Sequence, residues 1–246
     1  APTQTRRSED SIKLQQFSTP LPLAAIAAFA ADLRPEDTVL EPSAGTGMLA
    51  VFGLIAGSSF VLNELADTRR ELLSLLFPGV PVSGHDAGAI HDRLDPAIQP
   101  SVVLMNPPFS AAPNVDGKYK AATGQHVLSA LARLKPGGRL VLISGINFSL
   151  ATKAYRKTFD RINEMAQIVF SAPIAGKVFA RHGTSVETRL TVLDKHVGPD
   201  GEWRQEPFEP YHSICETLAD LLEALQLHCR DRHRVDVHAK IETTNP

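Results

Sequence analysis

Thr38-Val39-Leu40-Glu41-Pro42-Ser43-Ala44-Gly45-Thr46-Gly47-Met48-Leu49-Ala50 is the stretch on which the fold turns. Thr38 to Glu41 reads as a short, mostly apolar strand. Pro42 cannot extend a hydrogen-bonded ladder, and Gly45 and Gly47 supply the backbone freedom of a sharp turn. The apolar run from Met48 then predicts a helix to Ala56. A strand, a glycine turn and a helix in immediate succession open a βαβ unit. Gly45-x-Gly47-x-x-Ala50 also matches the alanine form of the dinucleotide-binding fingerprint, with Glu64 about twenty residues on. A plain strand-to-helix turn accounts for the same letters, and the spacing does not separate NAD from other adenosine-bearing ligands.

Working outward, a helix is predicted over Pro20–Leu33. Strand Phe60–Asn63, helix Asp67–Phe77, strand Val80–Gly84 and strand Ser101–Met105 follow. Helix Ala121–Leu134 is stopped by Lys135-Pro136-Gly137-Gly138. Strand Arg139–Ser144, helix Leu150–Glu164 and strands Met165–Phe170 and Ser185–Leu193 complete the pattern. Strands alternating with crossover helices predict an α/β fold: a mostly parallel sheet, helices on both faces, and an antiparallel edge made by the last two strands. The main body is expected over residues 1–198. Residues 199–246 read as an extension with one helix, Ser213–Leu227, whose Ile214, Leu218, Leu221, Leu222 and Leu225 pack on the body.

Composition narrows the function classes. The 246 residues are 43% hydrophobic and 21% charged with net charge −2, which excludes a disordered or fibrous chain and makes any attraction to nucleic acid local. The longest apolar run, Leu21–Leu33, is broken by Pro22 and Asp32, so no membrane partner is expected. Cys215 and Cys229 cannot form a disulfide framework, which predicts a cytoplasmic location. The nine histidines lack metal-ligand spacing, and no metal is expected.

Ligands of such sheets bind beyond the carboxyl ends of the strands, and the chemically useful residues gather there. Glu41 precedes the glycines, where it would repel a pyrophosphate but suit a cationic amino-acid end. Glu64 can take ribose hydroxyls. Asp86 either accepts from an adenine amino group or caps a turn. A ligand with ammonium, sulfonium, ribose and adenine is S-adenosylmethionine. Asn106-Pro107-Pro108-Phe109 ends the apolar run Val102–Met105. A planar amino group is a poor nucleophile because its lone pair is delocalised. The Asn106 amide oxygen and the Pro107 carbonyl can accept both of its N–H groups and so free that pair, while Phe109 offers a face for a flipped base.

Phe17-Ser18-Thr19-Pro20, the Glu41–Gly47 turn, Asn63-Glu64-Leu65, Asp86 and Asn106-Pro107-Pro108-Phe109 occur in an order that resembles the adenine-N6 methyltransferases of DNA. Gly176-Lys177-Val178-Phe179 looks like a later motif of that family. The resemblance covers Gln16–Lys195 and implies a Rossmann-like class I methyltransferase domain using S-adenosylmethionine. It implies Phe17, Thr19, Pro20, Glu41, Ser43, Ala44, Gly45, Gly47, Glu64, Asp86 and Ala87 around the cofactor. Asn106, Pro107, Pro108 and Phe109 would be catalytic, and Phe109 and Phe179 would stack on the target base.

The runs Gln15–Pro20 and Val103–Ser110 resemble, more narrowly, the methylase regions of bacterial, plasmid and phage methylase–helicase proteins. That implies a helicase region elsewhere in a longer polypeptide. About fifty residues follow Lys195, too few for the target-recognition domain that members acting alone carry. DNA specificity then lies elsewhere, or the target is less selective. Between Lys153 and Lys195, eight basic face four acidic residues, with Lys177 and Arg181 the best nucleic-acid contacts. Ser110–Lys120 reads either as a loop over the site or as an ordinary surface connection. Glutamine amides in protein and adenine in RNA remain alternative substrates, and a non-catalytic cofactor- or DNA-binding module of a helicase protein is an alternative of another kind.

Overall fold

The computed structural model describes residues 19–108, 122–178, 186–197 and 208–232. In chain order the elements are α1 (Leu21–Ala31), β1 (Thr38–Glu41), α2 (Ala50–Ala56), β2 (Ser59–Asn63), α3 (Asp67–Leu76), β3 (Val82–Ser83), α4 (Ile90–Arg93), β4 (Val102–Met105), α5 (Ala122–Arg133), β5 (Arg139–Gly145), α6 (Arg156–Met165), β6 (Ala166–Ile174), β7 (Thr188–Lys195) and α7 (Leu218–His228). The seven strands form one sheet in the order β3-β2-β1-β4-β5-β7-β6. All neighbours from β3 to β5 are parallel, and β7 runs antiparallel to both β5 and β6.

Strict alternation along the central strands divides the core. Val39, Val102, Leu104, Val141 and Ile143 belong to one buried cluster with residues of α1, α2 and α7. Leu40, Val103, Met105, Leu140 and Leu142 belong to the other with residues of α4, α5 and α6. Successive strand side chains point to opposite faces, so two clusters covered by two sets of helices make a sheet buried on both sides.

Several boundaries differ from the sequence expectation. α2 starts at Ala50 rather than Met48, because Gly47, at φ 77°, still belongs to the turn. β3 shrinks to two residues, since Val80 closes a turn onto the Phe77 carbonyl. The helix expected from Leu150 begins as a 3₁₀ turn at Lys153–Tyr155 and becomes α-helical at Arg156. β6 runs on through Pro173 to Ile174, which an edge strand tolerates because one side of it needs no ladder donor. β7 spans Thr188–Lys195 instead of Ser185–Leu193.

The C-terminal helix buries Leu221, Ala224 and Leu225, all in the α1-side cluster. Its start is later, at Leu218, where Thr217 and Asp220 form a reciprocal capping box. Ile214 therefore precedes the helix and is exposed, not part of the packed face. Two buried arginines fasten this segment to the sheet: Arg139, whose N–H groups Asp194 takes at 2.7 and 2.8 Å, also donates to the Arg230 carbonyl at 3.0 Å, and Arg232 donates to Asp37 at 2.8 Å.

Candidate functional site

The strand order reverses direction at β1: β2 and β3 lie on one side of it, β4 to β6 on the other. The carboxyl ends of β1 and β4 thus flank the topological switch point, where α/β sheets bind ligands. Glu41 is the last residue of β1 and Asn106 the first after β4. Thr19, Glu41, Ser43, Ala44, Gly45, Thr46, Met48 and Asn106 line one pocket there. The pocket is small, about 20 Å³, and a cavity of about 100 Å³ lies elsewhere. Chemistry rather than size distinguishes the smaller one.

Glu41 is 2% exposed, and its Oε2 has no hydrogen-bond partner among the described residues. Burial pushes its carboxyl well above the usual carboxylate range; a hydrogen bond from the Ala50 backbone opposes the shift and the nearby Glu64 adds to it. A buried acceptor oxygen left unpaired is costly unless a ligand completes it. Opposite it, the Asn106 amide nitrogen donates to Thr19 Oγ1 at 2.9 Å. Because the amide is planar, with its nitrogen turned to Thr19 the Oδ1 atom faces away from Thr19 and keeps its lone pairs as an acceptor. Pro107 is buried, and the Pro108 carbonyl accepts from the Thr123 hydroxyl at 3.0 Å, which ties the chain after β4 to α5.

The glycine turn is held from the side. Gly45 lies at φ 57°, and its N–H donates to Glu64 Oε2 at 2.8 Å, while Glu64 Oε1 accepts from the Ala66 N–H at 2.9 Å. A side chain at Gly47 would strike the Phe77 ring at 2.4 Å, so only glycine lets the turn lie this close to α3. Arg69 stands beside both groups: a Cβ on Gly45 would come within 3.3 Å of its Nη1. Burial lowers the Arg69 guanidinium, with Glu64 opposing.

The remaining expected residues fall into three groups. Pro20 caps the start of α1, and Ala87 is buried in the 3₁₀ turn that Asp86 opens. Asp86 Oδ1 accepts the Gly88 N–H at 2.8 Å, so the turn-capping role is realised. Lys177 pairs with Glu216 at 2.7 Å, both side chains exposed. Phe17, Phe109, Phe179 and Arg181 lie outside the described residues.

Sequence reading gave no separate role to Asn63, which ties the loop after β1 to the end of β3 and the loop beyond it. Its Nδ2 donates to the Pro42 and His85 carbonyls, and its Oδ1 accepts from Ser83 and the His85 N–H. A polar residue ending an otherwise apolar strand was the available signal. His126 on α5 was also missed; its Nε2 lies 3.9 Å from Asp86 Oδ1, and its Nδ1 is buried without a described partner. Among the described residues no group of three or more metal-ligating side chains occurs, and no helix is long and apolar enough to cross a membrane.

No protein-family model matches the chain, and no curated protein does. Solved structures do. A Listeria monocytogenes protein assigned as a class I S-adenosylmethionine-dependent methyltransferase is similar at TM-score 0.65 and 17% identity, covering 85% of this chain and 69% of its own. A modification subunit assigned to a type I restriction enzyme of Vibrio vulnificus is similar at TM-score 0.63 and 18% identity, over 85% of this chain but 52% of its own length. A Pyrococcus horikoshii protein assigned as an RNA methyltransferase is similar at TM-score 0.58 and 16% identity, over 78% and 91%. At these identities the likeness carries the fold: the chain has the Rossmann-like architecture of the class I methyltransferases, with its switch-point pocket between Glu41 and Asn106.

Proposed function

We propose that the chain transfers a methyl group from S-adenosylmethionine to the exocyclic N6 amino group of adenine in DNA. One observation carries the reading: the unpaired buried oxygen of Glu41 and the oriented amide of Asn106 line the same switch-point pocket. An acceptor for a cation and an acceptor for an amino group are what such a reaction needs side by side.

The residues fit the cofactor. Glu41 Oε2 would take its ammonium group, with Thr19, Pro20, Ser43, Ala44, Gly45 and Gly47 around the methionine end. Glu64 retains lone pairs for ribose hydroxyls, since each oxygen accepts only one backbone N–H. Asp86 and Ala87 would meet the adenine. When bound, the cofactor supplies an electrophilic methyl group on a sulfonium. Asn106 Oδ1 and the Pro107 carbonyl accept the two N–H groups of the target amine, which strengthens its lone pair where positive charge develops in the transition state. Phe109 and Phe179 would stack on the extruded base, and Lys177 and Arg181 would meet phosphate.

DNA is favoured by the likeness to a restriction-modification subunit, of which this chain spans about half. Target selection then falls to another part of a longer polypeptide, consistent with a helicase-linked context. The likeness to the P. horikoshii protein favours a second reading, adenine in RNA.

Isotope-labelled S-adenosylmethionine incubated with the chain and, separately, duplex DNA, RNA and a glutamine-bearing peptide separates these readings. Mass spectrometry of the digests is expected to find labelled N6-methyladenine in the DNA arm. Label only in RNA or peptide, or none in any arm, would overturn the proposal.

A further inference from the structure

A second cavity, of about 100 Å³, opens on the α6 side of the sheet. Ser149, Leu150 and Ala151 line it, and they follow the carboxyl end of β5 as Asn106 follows that of the neighbouring β4. It therefore lies at the same edge of the sheet as the switch-point pocket. A single water needs roughly 10–15 Å³, so this space accepts a polyatomic group.

Arg189 of β7 reaches into this cavity. It is half-buried, and its described partners are neutral: Nε donates to the Ile146 carbonyl at 3.3 Å and Nη1 to Ser171 Oγ at 3.1 Å. A guanidinium has five N–H donors, so further ones remain for a ligand. Arg139 and Arg232 are each matched by a carboxylate, Asp194 and Asp37, while buried Arg133 spends its N–H groups on the carbonyls of His91, Leu94 and Asp95 and does not line this cavity. Among the described residues, no carboxylate lines the Arg189 cavity. Burial lowers the guanidinium from its ordinary value, as a cation without a counter-charge requires. Ser149 and Ser171 bring hydroxyls and Phe208 and His212 bring rings to the lining; Tyr211 enters it beside Ser171, its N–H fastened to the Ser171 carbonyl at 3.2 Å, while its ring packs near His228 of α7. A desolvated arginine, flanking hydroxyls and an aromatic wall suit a phosphate attached to a planar base, since a guanidinium binds phosphate oxygens through paired N–H donors.

We propose that this cavity is a phosphate subsite, in which Arg189 holds a phosphodiester of the nucleic-acid strand that presents its base to Asn106. The proposal rests on the nucleic-acid reading above and extends it to a strand contact made by β7 and the segment after Pro207. It does not depend on which base is methylated.

The test uses two probes and two variants. Inorganic phosphate, compared with chloride at equal ionic strength, is expected to raise the melting temperature of the wild-type chain and not that of Arg189→Met. His212→Glu places a negative charge at the exposed mouth without touching the sheet, and should also abolish the phosphate effect if Arg189→Met proves poorly folded. With a fluorescently labelled adenine-containing duplex, either variant should bind about tenfold more weakly, and the slope of log affinity against log salt should fall by about one. Binding of S-adenosylhomocysteine should stay at the wild-type value. Phosphate stabilisation lost in the variants with duplex affinity unchanged would overturn the strand assignment. No phosphate stabilisation of the wild-type chain would overturn the subsite. No arm reads methyl transfer, so an error in the reaction proposed above would show in the labelling experiment and not here.

Discussion

Asn106→Ala is expected to slow methyl transfer by about 10²–10³-fold, the usual loss when one transition-state hydrogen-bonding group is removed. The substitution deletes the oxygen that would accept from the target amine and also the N–H that Thr19 accepts at 2.9 Å. Cofactor affinity should change little, because Glu41 and the glycine turn remain. Single-turnover kinetics on labelled substrate, paired with calorimetry of S-adenosylhomocysteine, separate these effects. Thr19→Val gives the graded comparison. It keeps Oδ1 but frees the amide to rotate, and the loss of one neutral hydrogen bond is worth about 0.5–1.5 kcal/mol, at most roughly tenfold in rate. A Thr19→Val variant as slow as Asn106→Ala would mean that orientation, not the acceptor itself, dominates.

Glu41→Gln is expected to weaken cofactor binding by roughly 10–100-fold while stabilising the free chain. The two effects share one cause. Burial raises the carboxyl well above its ordinary value of 4.5, and Oε2 is unpaired. A group whose folded pKa is raised keeps a proton that the unfolded chain releases. Stability of the ligand-free chain therefore falls as pH rises from the ordinary glutamate range toward the raised folded value. A neutral amide removes that penalty, so the variant should melt at least about 2 °C higher near neutral pH, with a flatter stability profile across that window. With the cofactor's ammonium bound, the balance reverses: a charge-assisted hydrogen bond worth about 1.5–3 kcal/mol is lost. Thermal denaturation with and without S-adenosylmethionine reads both halves. A variant that is less stable when free, or that binds the cofactor as tightly, would contradict this role for Glu41. Such a conflict between stability and function is common where a site is built to receive a charged ligand.

Much of the fold was legible because its signals are local. The continuous apolar runs in Val102–Met105 and Arg139–Ser144, and the prolines and glycines around those elements, depend on neighbours in sequence. β1 fell on Thr38–Glu41 as expected because Pro42 and Gly45 stop it on one side. What was not legible depends on partners far along the chain. Pro173 can lie within β6 only because β6 is at the sheet edge, and no local feature announces that. Ile214 has the spacing of the α7 face, but the Thr217–Asp220 capping box starts the helix after it.

The site divides in the same way. Glu41 ends β1, and the glycine turn and Asn106 come directly after strands, so strand prediction located them. The hydrogen bond from Asn106 to Thr19 spans 87 residues, and the Asn63 hub joins Pro42 in the loop after β1 to Ser83 of β3 and His85 beyond it. Arg189 was one of eight basic residues in a stretch until the sheet register placed it opposite Ser144 and Pro173, at the mouth of a cavity.

A crystal structure with bound S-adenosylhomocysteine tests the central claim most directly. The account predicts the ligand's ammonium on Glu41 Oε2, its ribose at Glu64 and its sulfur facing the pocket wall that carries Asn106 Oδ1. A ligand bound away from the β1–β4 switch point, or with its sulfur turned from Asn106, would contradict it.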